Sequence, residues 1–259
     1  MSSPYKYLKI ENLGKLRKIT ISNPKLKNAL NLQAYEELTD GLNRAATDDS
    51  VSIVAITGDG DYYSSGNDIK HFLTVIDPEK ELIRANIVLK SMIQSFYTFP
   101  KLLVCVVNGP CIGIACSTAA LCDVIYAVDT AYFYTPFSLL GLCAEGCASY
   151  TFSRILGKSK ANEMLLLNHK LTAAEALQFN FVAKVYTKSE LDTVLWPKIR
   201  EQSELSRESI CVTKKLQSKF DQKSLETACD AELKELYKRF STDDFIQAVV
   251  NFIQRKSKL

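Results

Sequence analysis

Short apolar segments that read as buried strands alternate with helical segments over the first half of the chain. Residues 51–57, 101–107 and 124–128 are nearly uncharged and rich in Val, Ile and Leu. Runs of this length and composition are typical of strands that are covered on both faces. The intervening segments, 32–46 and 77–96, carry apolar residues at helical spacing. This order predicts an α/β fold in which helices cover the strands.

The chain is predicted to begin with a β-hairpin and to end with a mainly helical third. Apolar and polar residues alternate between residues 5 and 22, on both sides of the turn Asn12-Leu-Gly14. Thr172 and Glu175 have the spacing of a capping box for a short helix. The other predicted elements are short strands at 131–134 and 181–186 and helices near 189–204, 207–219, 223–239 and 242–254. Because no repeat or linker divides the chain, a single domain is expected.

The composition argues against several classes of function. Of 259 residues, 47% are hydrophobic and 24% are charged, which is ordinary for a soluble globular protein. Lys and Arg exceed Asp and Glu by only three (32 against 29), and no basic stripe indicates a nucleic-acid partner. No apolar run has the length of a membrane span, and the N-terminal residues lack the pattern of a signal peptide.

The cysteines and histidines do not form a metal-binding or triad pattern. The eight cysteines show no CxxC spacing, and most lie in apolar segments, where free cysteine behaves as a small buried hydrophobe. This usage favours a reducing compartment. His71 and His169 are far apart and have no acidic or cysteine neighbours in a ligand pattern. The sequence therefore predicts no metal site and no Ser-His-Asp triad.

One carboxylate, Glu145, follows a largely uncharged stretch that begins at Thr135. Apart from the thiols of Cys143 and Cys147, no other group within ten residues titrates near neutral pH. A buried Glu145 would have no local cation, so its pKa would rise and it could act as a base. The alternative is that Glu145 lies in the first turn of a helix that continues through residue 152 and stabilises the helix dipole. The local sequence leaves both interpretations open.

Two glycine-containing turns follow predicted buried strands. The first glycine turn, residues 64–68, reads Ser-Ser-Gly-Asn-Asp and is expected to precede a short helix. The second glycine turn, residues 109–114, leads into an apolar segment without charge up to Asp123, which places that turn inside the protein. Backbone N–H groups at such turns are free to face a ligand. A turn without any ligand explains the first segment equally well.

These motifs, in this order, resemble those of the crotonase (enoyl-CoA hydratase/isomerase) superfamily. Residues 23–31 resemble its CoA-contacting loop, 64–69 its first oxyanion loop and 108–114 its second. The likeness extends through 123–127, 135–137, 140–141, 156–161 and 171–176, and so covers nearly the whole chain. It implies a crotonase-like domain over residues 1–259, with a ββα spiral core over about 1–188, C-terminal oligomerisation helices over about 189–254 and a targeting tail at 255–259.

The resemblance also implies a site for a CoA thioester. The backbone N–H groups of Asn67 and Ile114 would hold the thioester oxygen, and Glu145 would be the base. The other substrate contacts that it implies are Lys25, Lys27, Ala29, Leu30, Ser64, Ser65, Gly66, Asp68, Gly113, Phe137 and Leu140. The two lysines are candidates for the CoA phosphates, although a solvated loop explains either one alone. No cofactor is expected, because CoA is part of the substrate.

The carboxylates distinguish the reactions of this superfamily. Its hydratases use two glutamates, at positions that correspond here to Ser117 and Phe137. Glu145 instead resembles the single base of the peroxisomal delta-3,delta-2-enoyl-CoA isomerases, which would move a proton from C2 to C4 of a 3-enoyl-CoA. An apolar setting that includes Phe137, Leu140 and Leu142 would raise its pKa. A dienoyl-CoA isomerase, which Asp68 and Asp123 keep open, a hydratase and a non-catalytic acyl-CoA-binding protein remain alternatives.

The chain ends in Ser257-Lys258-Leu259, the tripeptide that the peroxisomal import receptor recognises. This tail predicts a location in the peroxisomal matrix and the import receptor as a partner. Arg255 and Lys256 would expose the tail or reach a CoA phosphate. The resemblance further implies a homotrimer or a dimer of trimers.

Overall fold

The computed structural model describes residues 5–68 and 78–256. Its main sheet contains six strands, in the spatial order β1 (Leu8–Leu13), β2 (Leu16–Ile21), β3 (Ile53–Gly58), β4 (Leu102–Val107), β6 (Val124–Val128) and β9 (Lys184–Tyr186). The first two strands form the predicted antiparallel hairpin, and every later neighbour pairs in parallel. The predicted α/β class is confirmed.

A second, three-stranded sheet consists of β5 (Cys111–Ile112), β7 (Tyr132–Tyr134) and β8 (Leu171–Thr172). Strand β5 pairs in parallel with β7, and β7 pairs antiparallel with β8. Both β5 and β8 are two residues long, which is too short for a hydrophobic period to show in the sequence. This small sheet anchors the second glycine turn, because β5 lies within that turn.

Along the chain, helices follow most of the strands, and the C-terminal third is mainly helical, as expected. They are α1 (Leu32–Thr47), α2 (Pro78–Tyr97), α3 (Ile114–Ala119), α4 (Ala148–Leu156), α5 (Lys158–Leu165), α6 (Ala173–Gln178), α7 (Lys188–Glu190), α8 (Trp196–Gln202), α9 (Arg207–Ser218), α10 (Gln222–Arg239) and α11 (Asp243–Lys256). A π-helical turn, Leu191–Leu195, joins α7 to α8. The capping box is present, because Glu175 N–H donates to Thr172 Oγ1 and Thr172 N–H donates to Glu175 Oε2.

The core runs between the main sheet and the helices. Every residue of β3 is buried, and so is every residue of α3, as its uncharged sequence predicted. On one side of the sheet α1 packs on α2, α2 packs on α10, and α10 packs on α4. This packed series of helices surrounds the segment that carries Glu145.

Two sequence predictions about local structure were wrong. Glu145 does not lie in the first turn of a helix, since α4 begins only at Ala148. Gly146 and Cys147 both have positive φ (70° and 63°), which an α-helix does not accommodate. The strand predicted at 181–186 is shortened to Lys184–Tyr186, because the N–H groups at 181 and 182 donate to a carbonyl at the end of α6. The short helix expected after Asp68, His71 and the tail at 257–259 lie outside the described residues.

Candidate active site

The two glycine turns lie side by side. Ser64 N–H donates to Pro110 O (3.2 Å), and Ile112 N–H donates to Ser64 O (3.0 Å). The approach is so close that a Cβ atom on Gly66, whose φ is +80°, would lie 2.6 Å from Ile112 O. Only glycine fits that position without moving the backbone. The fold therefore joins the ends of β3 and β4 through these turns.

The loop at 23–31 closes over the first glycine turn. Leu30 N–H donates to Gly66 O and Asp68 N–H donates to Leu30 O, each over 2.9 Å. The carboxamide of the buried Asn28 donates to Asp59 O (2.9 Å) and Tyr62 O (2.8 Å), which fixes the loop from beneath. These bonds hold Leu30 beside Asn67, to which it is joined by an isolated parallel bridge.

Two backbone N–H groups remain without a protein acceptor at the ends of these turns. Within residues 5–68 and 78–256, neither Asn67 N–H nor Ile114 N–H donates to a protein oxygen. Ile114 is the first residue of α3, where an N–H has no partner inside the helix. Gly113, which precedes it, has a φ of +60° and donates its own N–H to Tyr134 O. Both N–H groups are therefore without an acceptor among the described residues.

Glu145 is buried beside these donors, with 2% of its surface exposed. Its Oε1 accepts a 3.0 Å hydrogen bond from Asn67 Nδ2, whereas Oε2 has no partner among the described residues. Burial raises the pKa of Glu145 to about 8; the Asn67 bond lowers it, and the charge of Glu232 raises it further. Glu145 can therefore gain or lose a proton near neutral pH through one uncommitted oxygen.

The side chain of Asn67 is itself held by Tyr35 on α1. The Tyr35 hydroxyl donates to Asn67 Oδ1, which leaves the Asn67 amide hydrogens for Glu145. Burial raises the pKa of Tyr35 well above its usual range, so the hydroxyl remains a donor. The sequence analysis did not identify Tyr35 as a site residue, because its position on the apolar face of α1 is equally typical of a core tyrosine.

The carboxylate borders a small cavity between α1, α2 and α10, with a volume of about 30 Å³. The cavity is lined by Leu32, Tyr35, Asn67, Leu82, Ala85, Asn86, Leu89, Glu145, Leu236, Tyr237 and Phe240. This volume holds about two water-sized probes, each of roughly 10–15 Å³. An apolar chain that enters it must displace side chains of α2 or α10.

Helix α3 packs against the turn that carries Glu145. A Cβ atom on Gly146 would lie 2.6 Å from Ser117 Cβ and 2.9 Å from Ile114 Cδ1. Ser117 is fully buried, and its hydroxyl lies 3.4 Å from Gly113 O. The contact brings Glu145 and Ile114 together, and it leaves no room for a longer side chain at residue 146.

The remaining candidate substrate contacts occupy three different environments. Lys25 and Lys27 are exposed, and Lys27 Nζ lies 5.0 Å from the centre of the Tyr62 ring. Ser64 is fully buried, and its hydroxyl donates to Asn28 O (2.7 Å) and accepts from Gly66 N–H. Ser65 and Ala29 are half-buried in the contact between loop and turn. These placements put the lysines at the surface end of the site.

Phe137 and Leu140 are buried in and before the 3₁₀ turn Ser138–Leu140, with 4% and 5% of their surfaces exposed. Neither side chain borders the cavity next to Glu145. Their role as substrate contacts stays a prediction.

The other acidic and histidine candidates are engaged elsewhere. Asp123 accepts from Leu103 N–H (2.8 Å) and pairs with Lys214 (2.6 Å). His169 Nε2 lies 3.0 Å from Glu175 Oε1. Among the residues that the structure describes, no group of three or more His, Cys, Asp or Glu side chains could hold a metal ion. None of the helices in the described ranges is long and apolar enough to cross a membrane.

Comparison with known proteins finds relatives that match nearly the whole chain. The model of the enoyl-CoA hydratase/isomerase family matches residues 11–258. Enoyl-CoA delta isomerase 2 of Rattus norvegicus is 40% identical over 95% of this chain and 63% of its own length. The corresponding human protein is 39% identical over 100% of this chain and 66% of its own length. Enoyl-CoA delta isomerase 3, peroxisomal, of Mus musculus is 38% identical over 94% of this chain and 77% of its own length.

A solved structure of a related protein has the same fold. The enoyl-CoA hydratase/isomerase from Pseudoalteromonas atlantica T6c superposes with a TM-score of 0.88, at 26% identity, over 96% of this chain and 98% of its own. The chain thus matches that structure almost end to end, whereas it spans about two thirds of the length of the rat and human relatives.

Proposed function

The chain belongs to the enoyl-CoA hydratase/isomerase family, and we propose that it is an enoyl-CoA delta isomerase. The crotonase-like fold expected from the sequence is confirmed by the superposition with a solved structure of this family. The reaction proposed is the shift of a 3-enoyl-CoA double bond to the trans-2 position. The names of the relatives support this choice. The observation that carries it is the buried carboxylate of Glu145, which lines the cavity and has one oxygen without a partner among the described residues.

The proposed reaction needs one base and two donors. Glu145 Oε2 removes a proton from C2 of the substrate, and the electron pair moves toward the thioester oxygen. The N–H groups of Asn67 and Ile114 stabilise that oxygen, and a donor of this kind contributes roughly 3–4 kcal/mol in the transition state. The protonated Glu145 then returns the proton at C4. The sum is a 1,3-proton shift, so no water or oxidant is consumed.

The pKa of Glu145, about 8, suits this task. The hydrogens on C2 of a thioester are weakly acidic, and a carboxylate with an ordinary pKa is a poor base for them. Burial raises the basicity of Glu145 while leaving a useful ionised fraction at neutral pH. The cavity beside it is small and mostly apolar, so a bound acyl chain that fills it would displace water that could quench the dienolate.

The surroundings of Glu145 favour isomerisation over hydration. Among the described residues that line the cavity, Glu145 is the sole carboxylate, whereas hydration needs one group to activate water and another to protonate carbon. Ser117 directs its hydroxyl to Gly113 O, and Phe137 offers no titratable group. A dienoyl-CoA isomerase is expected to use a further acid in the pocket, and neither candidate lines the cavity: Asp123 is paired with Lys214, and Asp68 is not among the lining residues.

We extend the proposal to location and assembly. The tail Ser257-Lys258-Leu259 and the peroxisomal name of the mouse relative support import into the peroxisomal matrix for fatty-acid β-oxidation. Exposed apolar side chains on and after α9, including Val212, Leu216 and Phe220, support a homotrimer or a dimer of trimers. Light scattering of the purified chain distinguishes the monomer, trimer and hexamer.

The activity test is the conversion of 3-hexenoyl-CoA to its conjugated isomer, followed by ultraviolet absorbance. Glu145→Gln keeps the size of the side chain but removes the base, and we expect a loss of about 10³-fold or more in kcat. Glu163→Gln, at a carboxylate paired with Lys160 outside the site, is the matched control and retains activity. Full activity in Glu145→Gln would eliminate the proposed mechanism. Addition of water to 2-hexenoyl-CoA at a comparable rate would favour a hydratase.

A further inference from the structure

A second buried carboxylate, Glu232 of α10, lies directly behind the turn that carries Glu145. Only 6% of its surface is exposed. Its Oε2 accepts from Cys147 N–H over 2.7 Å, and its Oε1 accepts from Ser149 N–H over 2.8 Å. These donors lie at the start of α4, whose N-cap residue Cys147 supplies no side-chain cap. Glu232 therefore caps α4 from a helix that follows it by more than 60 residues in the sequence.

The backbone of this turn needs outside support. Gly146 has a φ of +70° and Cys147 a φ of +63°, so two successive residues are left-handed. For a residue with a Cβ atom this conformation is unfavourable and persists only where neighbouring contacts impose it. The bond from Cys147 N–H to Glu232 imposes it from one side, and the packing of Gly146 on Ser117 and Ile114 imposes it from the other.

We propose that Glu232 is a positioning residue for Glu145, which fixes the turn at 145–149 and places a negative charge behind the base. The proposal rests on the role of Glu145 as the base, as set out above. Both oxygens of Glu232 accept from N–H groups, and hydrogen bonds of this kind favour the ionised carboxylate over the protonated one. The start of α4 also favours a negative charge.

The charge of Glu232 acts on Glu145 in the same direction as burial. Burial is the larger cause of the raised pKa of Glu145, the charge of Glu232 adds to it, and the Asn67 bond opposes it. Glu232 thus raises the pKa of Glu145 and also fixes the turn that carries it. Burial also raises the pKa of Glu232, and the bonds from Ser149 and Cys147 oppose that rise.

Tyrosine and cysteine side chains are the other titratable groups packed around the pair. In the described part of the chain they include Tyr35 on α1, Cys143 and Cys147 before α4, and Cys229 on α10. Burial raises the pKa of Tyr35 well above its usual range and that of Cys143 to about 11. The Cys147 and Cys229 thiols are hydrogen-bonded to each other, and this bond raises the pKa of Cys147 and lowers that of Cys229.

Two basic side chains on the adjoining elements are paired with other carboxylates. Lys90 of α2 pairs with Asp230 over 2.6 Å, and Arg239 at the end of α10 pairs with Asp244. The charge of Glu232 is therefore not neutralised by either of them. The negative charge of Glu232 is stabilised by the N–H groups of Cys147 and Ser149 at the start of α4.

The test compares Glu232→Gln with Glu232→Asp in the full chain, through the dependence of kcat/KM on pH for 3-hexenoyl-CoA. Because the base must be ionised, activity rises as pH rises through the pKa of Glu145. We expect Glu232→Gln to move this rise to lower pH by about one unit, since the charge behind the base is gone. Glu232→Asp keeps the charge but shortens the reach, so the rise stays in place while kcat falls about tenfold or more.

Glu37→Gln is the matched control. Glu37 is also buried, at 8% exposure, and its carboxylate also accepts from two backbone N–H groups, those of Lys6 (3.0 Å) and Tyr7 (2.7 Å). A loss of stability comparable to that of Glu232→Gln is expected, without a shift of the pH profile. The difference between the two Gln variants separates an effect on the base from a general effect of removing a buried carboxylate.

Each outcome decides the matter. An unchanged pH profile in a cooperatively folding Glu232→Gln variant overturns the proposal. If that variant does not fold, parent-level kcat in Glu232→Asp overturns it instead. Glu145→Gln is assayed alongside: full activity there refutes the proposed function, whereas inactivity there with an unmoved Glu232→Gln profile refutes only the role of Glu232.

Discussion

Asn67 Nδ2 donates a 3.0 Å hydrogen bond to Glu145 Oε1, so the residue whose backbone N–H borders the site also orients the carboxylate. In the proposed reaction the backbone N–H of Asn67 stabilises the thioester oxygen, and its side chain orients the base. Because Asn67 Nδ2 occupies Oε1, the proposed reaction exchanges the proton through Oε2, which has no partner among the described residues. In that proposal the fixed carboxylate serves both C2 and C4, the two ends of the 1,3-proton shift.

Substitution of Asn67 by Ala tests this relationship. The bond from Asn67 lowers the pKa of Glu145, so its loss raises that pKa above about 8. We expect the rise of kcat/KM to move to higher pH and kcat to fall about tenfold, because the base is also less well oriented. The pH profile of 3-hexenoyl-CoA isomerisation measures both effects. A profile that moves to lower pH would contradict this account, since it is the direction expected for Glu232→Gln.

Tyr35→Phe removes the hydroxyl that orients the Asn67 carboxamide. The Asn67 amide is then free to turn, so we expect kcat to fall by about three- to tenfold with KM little changed. Tyr5→Phe, which removes a hydroxyl bonded to Asp40, is the control and leaves kcat unchanged. Equal effects of the two substitutions would show that Tyr35 contributes stability alone.

Replacing Gly66 or Gly146 is expected to lower the free energy of unfolding more than replacing a glycine of positive φ elsewhere. Gly66→Ala would place a Cβ atom 2.6 Å from Ile112 O, and Gly146→Ala would place one 2.6 Å from Ser117 Cβ. Each substitution adds a clash to the strain of a positive φ, and we expect a loss of about 3 kcal/mol or more in the free energy of unfolding. Urea denaturation measures that loss.

Gly157→Ala is the matched control for these glycines. Gly157 has a φ of +76°, and a Cβ atom there would meet nothing within 4 Å. The ψ of Gly157 is 155°, a conformation that residues with a Cβ atom avoid, so the conformational strain alone applies and we expect a loss of about 1–3 kcal/mol, below that at residues 66 and 146. Losses of the same size at residues 66, 146 and 157 would show that neither the close approach of Gly66 to Ile112 nor that of Gly146 to Ser117 constrains the fold.

The sequence predicted the architecture better than it predicted the contacts between distant segments. Buried strands such as β3 and the long helices α1 and α10 are visible because their apolar residues recur at a fixed period. Local composition suffices for such elements, because the physical cause of each lies within a few residues. Asn67 and Glu145 were named as site residues because the motifs around them, in this order, resemble those of the crotonase superfamily.

The features that were missed depend on contacts between distant segments. Tyr35 meets Asn67 across 32 positions, and Glu232 meets Cys147 across 85. On their own helices both residues follow an ordinary pattern, the first as part of an apolar face and the second as one charge among many. The delayed start of α4 has the same origin, since packing on α3 and the bonds to Glu232 stabilise left-handed residues that local propensity does not favour.

The raised pKa of Glu145 should make the protein less stable as the solution becomes alkaline. The pKa is about 8 in the folded chain, against a reference of 4.5, so folding favours the protonated form. The stability that this preference provides is complete below pH 4.5 and is lost as pH rises through about 8. Glu145→Gln, which is permanently neutral, should therefore match the parent near pH 5 and exceed it by roughly 3–5 kcal/mol at pH 9.

Urea denaturation of the parent and Glu145→Gln at pH 5, 7 and 9 measures this difference, with Glu163→Gln as the control. Glu163 is paired with Lys160 and has a lowered pKa, so its replacement should not stabilise the protein at pH 9. A Glu145→Gln variant that gains stability at pH 9 while it loses activity would show that the base is retained at the expense of stability. A difference between parent and variant that does not grow with pH would mean that Glu145 ionises freely in the folded protein, and a carboxylate of that kind would be too weak a base for the proposed proton transfer.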